Sequence, residues 1–440
     1  MRFRSPLRAS LFVFVGWLGS VGVAGADAVT YWNNIALPAV VAGRPGPVGL
    51  LDLALIQAAV HDAVQSIEGR FEPYKVTIEG ASGSPAAAAG AAAHQVLLGL
   101  YGATQAATLN AAWAAFLAAN PGLVGDPGIA VGQQVATEIL TLYRAAPSPA
   151  PDVRGCEDDL DGCQPGEWRP TPSYIGALPV PAPFSPMTAP WAGALTPFTL
   201  LRSDQFRREP PPPLISGRYV QEYNEVKARG AFASTALTEL ARTPEQTTFA
   251  YFWSDNFLTL WHRTLRTIVE TRVPSMEIGD SARLFALASL AGGDAFITAW
   301  ESKLHFNFWR PVTAIQEGDF DGNPKTDGDP DWQPLINTPP YPDYTSGANN
   351  LTGATTRCLA LFFGTDRFDF TVTSSASQLT DPATRTRHFT HFSQAADEVV
   401  DARIMQGIHF RSGDADGRQQ GERVALWVFK HFLRPVHGNR

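Results

Sequence analysis

The chain has 440 residues, of which 45% are hydrophobic and 17% charged, and its formal net charge is -8. That balance excludes global disorder, and the absence of any Lys/Arg run excludes a basic nucleic-acid surface. The absence of a second long apolar run beyond the N-terminus argues against a polytopic membrane protein.

The first 26 residues read as a secretory signal peptide. Arg2, Arg4 and Arg8 give a positive start, residues 11–24 are uncharged and mostly apolar, and Ala24-Gly25-Ala26 has the form of a cleavage site. Export to the periplasm or the medium is therefore expected, with no stable membrane span after cleavage. Residues 27–144 form an N-terminal helical region, with helical patterns at 49–67, 86–100, 106–119 and 131–143. Residues 145–215 form a connection crowded with Pro, Gly and Ser, including Pro210 to Pro213. Residues 216–440 form a helical bundle that carries the candidate catalytic residues. Helical patterns there run over 219–229, 245–256, 257–270, 281–306, 347–363, 385–409 and 417–433, with one short strand at 368–374. The fold expected is all-α, made of packed helical bundles.

Three cysteines are present. Cys156 and Cys163 lie seven apart in an acidic loop and could close a small disulfide ring after export. Cys358 sits in an apolar run and reads as a buried small hydrophobe.

The chemistry-bearing residues fall in three late clusters. In the first, Lys303 and Arg310 are two helical turns apart and share a face, with Phe306, Phe308 and Trp309 between them and Pro311 behind. A surface helix with snorkelling cations would look the same. In the second, the loop Pro339-Pro-Tyr-Pro-Asp-Tyr-Thr runs into Ser346-Gly347-Ala348-Asn349 at a helix start. A hydroxyl and free backbone N–H groups there suit an anion, although an ordinary N-cap serine is the better reading of this cluster taken alone. In the third, Arg403 and His409 are six apart, and Gly407 between them can end or bend the helix. Taken alone, His409 would read as a packed core residue.

Together, Lys303-x6-Arg310-Pro311, then Ser346-Gly347, then Arg403-x5-His409 resemble the vanadium-dependent haloperoxidase and phosphatidic acid phosphatase type 2 superfamily, in its secreted bacterial branch. Thr30-Tyr-Trp-Asn33, Asp204-Gln-Phe206 and Arg242-Thr-Pro-Glu-Gln246 are more loosely similar to bacterial members. The resemblance implies helical bundles around one oxyanion. Lys303, Arg310 and Arg403 would hold the equatorial oxygens, and Ser346 and Gly347 would add hydrogen bonds. His409 would be the axial ligand to vanadium, or the nucleophile of a phosphatase. It implies vanadate as cofactor, with phosphate able to use the same donors. Hydrogen peroxide and a halide or small organic molecule would be the substrates, and a homodimer is compatible with it. Trp300 matches an aromatic near the halide region.

Two positions depart from the family pattern. Where the family has Ser-Gly-His, this chain has Ala348. The missing histidine is the acid–base group, and losing such a group typically costs about 10²–10⁴-fold in rate. The acid expected four residues after the histidine is replaced by Gly413, with Asp414 one place later. A haloperoxidase acting on easily oxidised bromide or iodide is the leading expectation. A phosphatase-like hydrolase using His409 and an oxyanion-binding protein with drifted activity are the alternatives. Elsewhere, the run Asp319 to Asp329 reads as a solvated acidic loop rather than a calcium loop, and His61-Asp62 reads as packing.

Overall fold

An Asp27 carboxylate accepts the Thr30 backbone N–H at 2.8 Å and starts the first described helix, α1 (Ala28–Gly43). The computed structural model describes residues 27–44, 46–142, 163–171, 173–175, 178–180 and 186–436. The signal-peptide reading and Cys156 lie outside these residues. Cys163 is disulfide-bonded, and Cys358 is a free, buried thiol.

The N-terminal region continues with α2 (Gly49–Glu68), α3 (Pro85–Ala119) and α4 (Gly128–Leu140). The two alanine-rich patterns at 86–100 and 106–119 are one helix of 35 residues, because Gly102 between them is tolerated within an alanine-rich run. Further along lie α5 (Gly217–Gly230), α6 (Pro244–Phe252), α7 (Phe257–Arg272), α8 (Ile278–Phe306), α9 (Pro311–Gln316), α10 (Gly347–Phe363), α11 (Phe392–Met405) and α12 (Arg411–His431). Strands are minor: β1 (Ser173–Ile175) pairs antiparallel with β2 (Leu178–Val180), and β3 (Arg367–Thr373) with β4 (Thr386–His391). The fold is all-α. The helical pattern at 385–409 is in fact β4 followed by α11, because Phe389 pairs across to Phe370 and both rings are buried.

Helix α8 is the axis. It is buried almost throughout from Gly279 to Lys303, with α2, α10 and α12 against it. Helices α2 and α8 are long and apolar enough to cross a membrane, yet 89% and 100% of their apolar windows are buried inside the protein. One hydrophobic cluster runs from Ala28 to Leu433. A second, around Tyr219, Trp309, Trp332, Tyr344, Ile404 and Phe410, underlies the end of α8. The three motif clusters sit where these two cores meet.

The crossing of α10 and α12 is unusually close. Gly413, Gly417 and Gly421 recur every four residues and so form one stripe along α12. A Cβ at Gly417 would lie 2.7 Å from the Ser346 carbonyl oxygen, and one at Gly421 would lie 2.0 Å from that of Asn350. Only glycine permits this approach, and it brings the start of α12 onto the start of α10.

Candidate functional site

The last turn of α8 carries Lys303, and the chain leaves the helix through Asn307 in a left-handed conformation. That turn returns the backbone so that Arg310 caps α9 and points back beside Lys303. The loop 339–345 then crosses over both cations. Lys303 Nζ donates to the carbonyls of Pro342 at 2.6 Å and Asp343 at 2.9 Å. Arg310 Nε donates to the Tyr341 carbonyl at 2.8 Å, and its Nη1 to that of Ile408 at 2.6 Å. The Tyr341 ring lies 4.9 Å from both Lys303 Nζ and Arg310 Cζ.

Arg403 lies in the last turn of α11, which ends at Met405. Gly407 follows at φ 78, a conformation that favours glycine, and turns the chain so that His409 comes inward just before α12. Arg242 helps to hold this turn by donating to the Met405 carbonyl at 3.2 Å. His409 is 1% exposed, and its two ring nitrogens lie 3.3 and 3.2 Å from Arg310 Nη1. The structure therefore brings Lys303, Arg310, Arg403, His409, Ser346 and Gly347 to one place.

Its electrostatics are those of a site prepared for an anion. Burial first, and then the Arg310 charge, hold the Lys303 ammonium well below its usual pKa. Burial first, and then the charges of Arg310, Arg403 and Lys303, hold His409 well below its usual value. Burial also lowers Arg310 and Arg403. Each guanidinium is tied along one edge and open on another: Arg310 Nη2 and Arg403 Nε are buried without a hydrogen-bond partner. Unsatisfied buried donors are costly, and an oxyanion with several acceptor oxygens would satisfy them.

Ser346 caps α10, but its hydroxyl is engaged. It accepts weakly from Asn349, at 3.5 Å from the backbone nitrogen and 3.4 Å from Nδ2, and it faces the Asp414 carboxyl. To serve an anion the hydroxyl must rotate. Asn349 Nδ2 donates to Asp414 at 2.7 Å and so is turned away from the place of the missing histidine. His305 is exposed and stacks edge-on against Phe306, outside the site. Ala348 lines an open cavity of about 360 Å³ with Trp300, Phe296, Tyr341, Phe257 and Arg403. Trp300 is anchored there by its indole N–H on the Thr188 carbonyl at 2.8 Å.

The sequence reading missed Asp343. Its Oδ1 lies 2.8 Å from His409 Nδ1 and 3.6 Å from Arg310 Nη1, and the side chain is fully buried. Burial pushes its carboxyl up to about 7, against the Arg310 and Lys303 charges that lower it. An acidic residue inside an otherwise apolar, Pro-rich loop was the available signal. The acidic run Asp319 to Asp329 also differs from expectation, because several of its carboxylates are spent internally rather than solvated. Asp321 accepts from the Asn323 N–H and the Thr326 hydroxyl, both at 2.7 Å, and Asp329 accepts from Thr235 at 2.6 Å and Thr238 at 2.5 Å. No group of three or more potential metal ligands occurs among the described residues.

Residues 283–438 match the VCPO second helical-bundle domain, a span that holds every residue of the cradle. Over that span the chain is similar to the vanadium haloperoxidase superfamily. Vanadium chloroperoxidase of Curvularia inaequalis is 31% identical over 199 residues. That match covers 39% of this chain and about a third (32%) of the relative's length. Among solved structures, a bacterial vanadium-dependent iodoperoxidase superposes with a TM-score of 0.73 at 22% identity, covering 94% of this chain and 99% of that one. A holo-type bacterial vanadium-dependent chloroperoxidase superposes with a TM-score of 0.69 at 17% identity, covering 92% of this chain and 97% of that one. At these identities the two superpositions establish the vanadium haloperoxidase fold.

Proposed function

We propose that the protein is a vanadate-dependent haloperoxidase that oxidises bromide or iodide with hydrogen peroxide. The observation that carries this reading is the set of three buried cations around one buried imidazole, with open N–H groups on Arg310 and Arg403. Lys303, Arg310 and Arg403 would hold the oxygens of vanadate, with the Gly347 N–H and a rotated Ser346 hydroxyl completing the cradle. His409 would coordinate the central atom through Nε2. Vanadate, when bound, would supply the Lewis-acidic centre that activates peroxide toward halide.

The rest is done by the chain. The cations neutralise the anion and polarise its oxygens, while the aromatic wall of Trp300, Phe296 and Tyr341 limits water on one side. Ala348 leaves no side chain to take the peroxide proton, so that proton leaves through the open cavity to solvent. This is slower than a positioned base, which favours the more easily oxidised halides.

A second reading has one observation in its favour. A buried carboxylate 2.8 Å from His409 Nδ1 would favour the positive charge that develops on a nucleophilic histidine during phosphoryl transfer. Without an acid at Ala348, only phosphates with good leaving groups would react. The test is a paired assay on purified protein. One arm supplies orthovanadate, bromide or iodide, and peroxide, and follows halogenation of a trapping substrate. The other follows hydrolysis of an activated aryl phosphate. Vanadate-dependent halogenation is expected. Phosphate release alone would transfer the protein to the second reading, and silence in both arms with vanadate bound would leave an oxyanion-binding protein. We also propose export, on the pattern of the first 26 residues; N-terminal sequencing of the protein from its source would find Ala26 removed.

A further inference from the structure

We propose that Gln406 is a positioning residue that holds Arg403 by a neutral hydrogen bond, leaving its Nε–H and its undiminished charge for the oxyanion. The inference rests on the oxyanion reading above and deepens it. Gln406 stands at the C-cap of α11, three residues past Arg403 and on the same face. Its side chain is fully buried and bridges two groups. Arg403 Nη1 donates to Gln406 Oε1 at 2.7 Å, and Gln406 Nε2 donates to the Ala250 carbonyl on α6 at 2.6 Å. A guanidinium can only donate and a carbonyl can only accept, so these partners fix which way the amide faces. The backbone beneath is held as well. The Gln406 N–H donates to the Ala402 carbonyl at 2.8 Å, and the Gln406 carbonyl accepts from the Ile336 N–H at 3.3 Å. With Nη1 committed, Arg403 Nε is left buried without a partner, and Arg403 lines the open cavity beside Gly347 and Ala348.

The choice of an amide has a chemical consequence. Arginines elsewhere in the chain are met by carboxylates: Arg387 by Glu398 and Arg411 by Glu225, both at 2.6 Å. A carboxylate orients a guanidinium and also offsets its charge, whereas an amide only orients it. Lys303 and Arg310 likewise make their shortest bonds to neutral carbonyls. A carboxylate at position 406 would keep the Arg403 bond, offset the charge, and set an oxygen against the Ala250 carbonyl. A thioether of the same length would leave the charge and lose both bonds. Charge and orientation can therefore be separated by substitution at this one position. Vanadate and phosphate use the same cations, so both should respond alike.

The experiment titrates orthovanadate and inorganic phosphate into the full chain, Gln406→Glu and Gln406→Met, with thermal unfolding alongside. Gln406→Glu is expected to weaken both anions by about 10–100-fold, the scale of a hydrogen bond to a charged group. Gln406→Met is expected to lower the thermal midpoint by a few degrees, because it orphans the Ala250 carbonyl and Arg403 Nη1. It should weaken the anions by a smaller factor, since Arg403 keeps its charge and loses only its aim. A side chain that merely ties α11 to α6 predicts the opposite order, because Glu retains the Arg403 bond and Met does not. A further readout stands even if Gln406→Glu folds poorly. In the full chain labelled with ¹⁵N-arginine, the Arg403 Nε–H signal, assigned by an Arg403→Lys variant, is expected to shift when phosphate is added. In Gln406→Met the same signal should broaden as the guanidinium loses its tether. Wild-type anion affinity in folded Gln406→Glu, an equal or larger loss in Gln406→Met, or an Arg403 signal indifferent to phosphate would each overturn the proposal. None of these readouts needs turnover. The expected order in a protein that binds both anions but oxidises no halide would therefore sink the haloperoxidase reading and leave the role of Gln406 standing.

Discussion

The middle and the C-terminal end of helix α8 treat buried charge in opposite ways. Toward the middle, Asp294 is fully buried and its oxygens accept the backbone N–H groups of Phe198 at 2.6 Å, Thr199 at 2.8 Å and Leu200 at 3.2 Å. Asp62 on α2 does the same for Tyr74, Lys75 and Val76. These carboxylates staple loops to the helical core, and burial pushes both up to about 6 against those hydrogen bonds. At the C-terminal end of α8, Lys303 and Arg310 are as deeply buried and Arg403 nearly so, and Arg310 Nη2 and Arg403 Nε have no hydrogen-bond partner. The first arrangement serves stability. Under the proposed function the second would leave electrostatic free energy uncompensated until an anion arrives, which is how a binding site differs from a structural ion cluster in the same core.

The largest effect that would sharpen this contrast is chemical. Ala348→His places an acid–base group into the open cavity, and we expect vanadate-dependent turnover to rise by about 10²–10⁴-fold at most. No rise in a folded, vanadate-loaded variant would remove Ala348 from consideration as the shuttle position. Next, Arg403→Ala should weaken vanadate binding by roughly 100-fold, about 3 kcal/mol, with the thermal midpoint little changed. Unchanged affinity in a vanadate titration would discard the cradle. Asp294→Ala should do the reverse, costing about 2–3 kcal/mol of stability through orphaned backbone N–H groups while leaving vanadate affinity intact. Urea unfolding alongside the same titration reads both.

A last effect concerns pH. His262 is buried, with its Nδ1 2.9 Å from Asn33 Nδ2, and burial holds its pKa down to about 3. Below pH ~6.5 the unfolded chain takes up a proton that the folded chain refuses, so stability is lost as pH falls. His262→Gln should flatten that acid limb by about 1.4 kcal/mol per pH unit between pH ~6 and ~4. Parallel limbs in the two proteins would mean that His262 does not titrate on unfolding.

Much of the fold was legible in local pattern. Helix α10 was readable at both ends, because Ser346 caps it and Gly364 ends it in the left-handed region at φ 71. Helix α1 was not singled out, since Pro38 and the mixed Thr30–Asn33 stretch blur its period. Strand β4 was absorbed into a helical pattern because its partner β3 lies more than a dozen residues upstream. In the site, Lys303, Arg310, Arg403 and His409 were readable as a spaced set. Asp343 was not, because its meaning depends on a turn at Gly407 that delivers His409 to it from another segment. Arg242 was readable only as part of a loosely similar segment, and its bracing of that turn was hidden for the same reason.

The glycine stripe on α12 carries a lesson for anyone seeking a hardier variant. Replacing helical glycine with alanine is a standard stabilising substitution, worth up to about 1 kcal/mol where the position is open. On this face the rule inverts. A methyl group at 417 or 421 would drive into the carbonyls that open α10, displacing Ser346 along with them. Thermostability and the placement of Ser346 are thus mechanically coupled through two missing methyl groups, and a screen for robustness alone would select against the substitutions that propensity recommends.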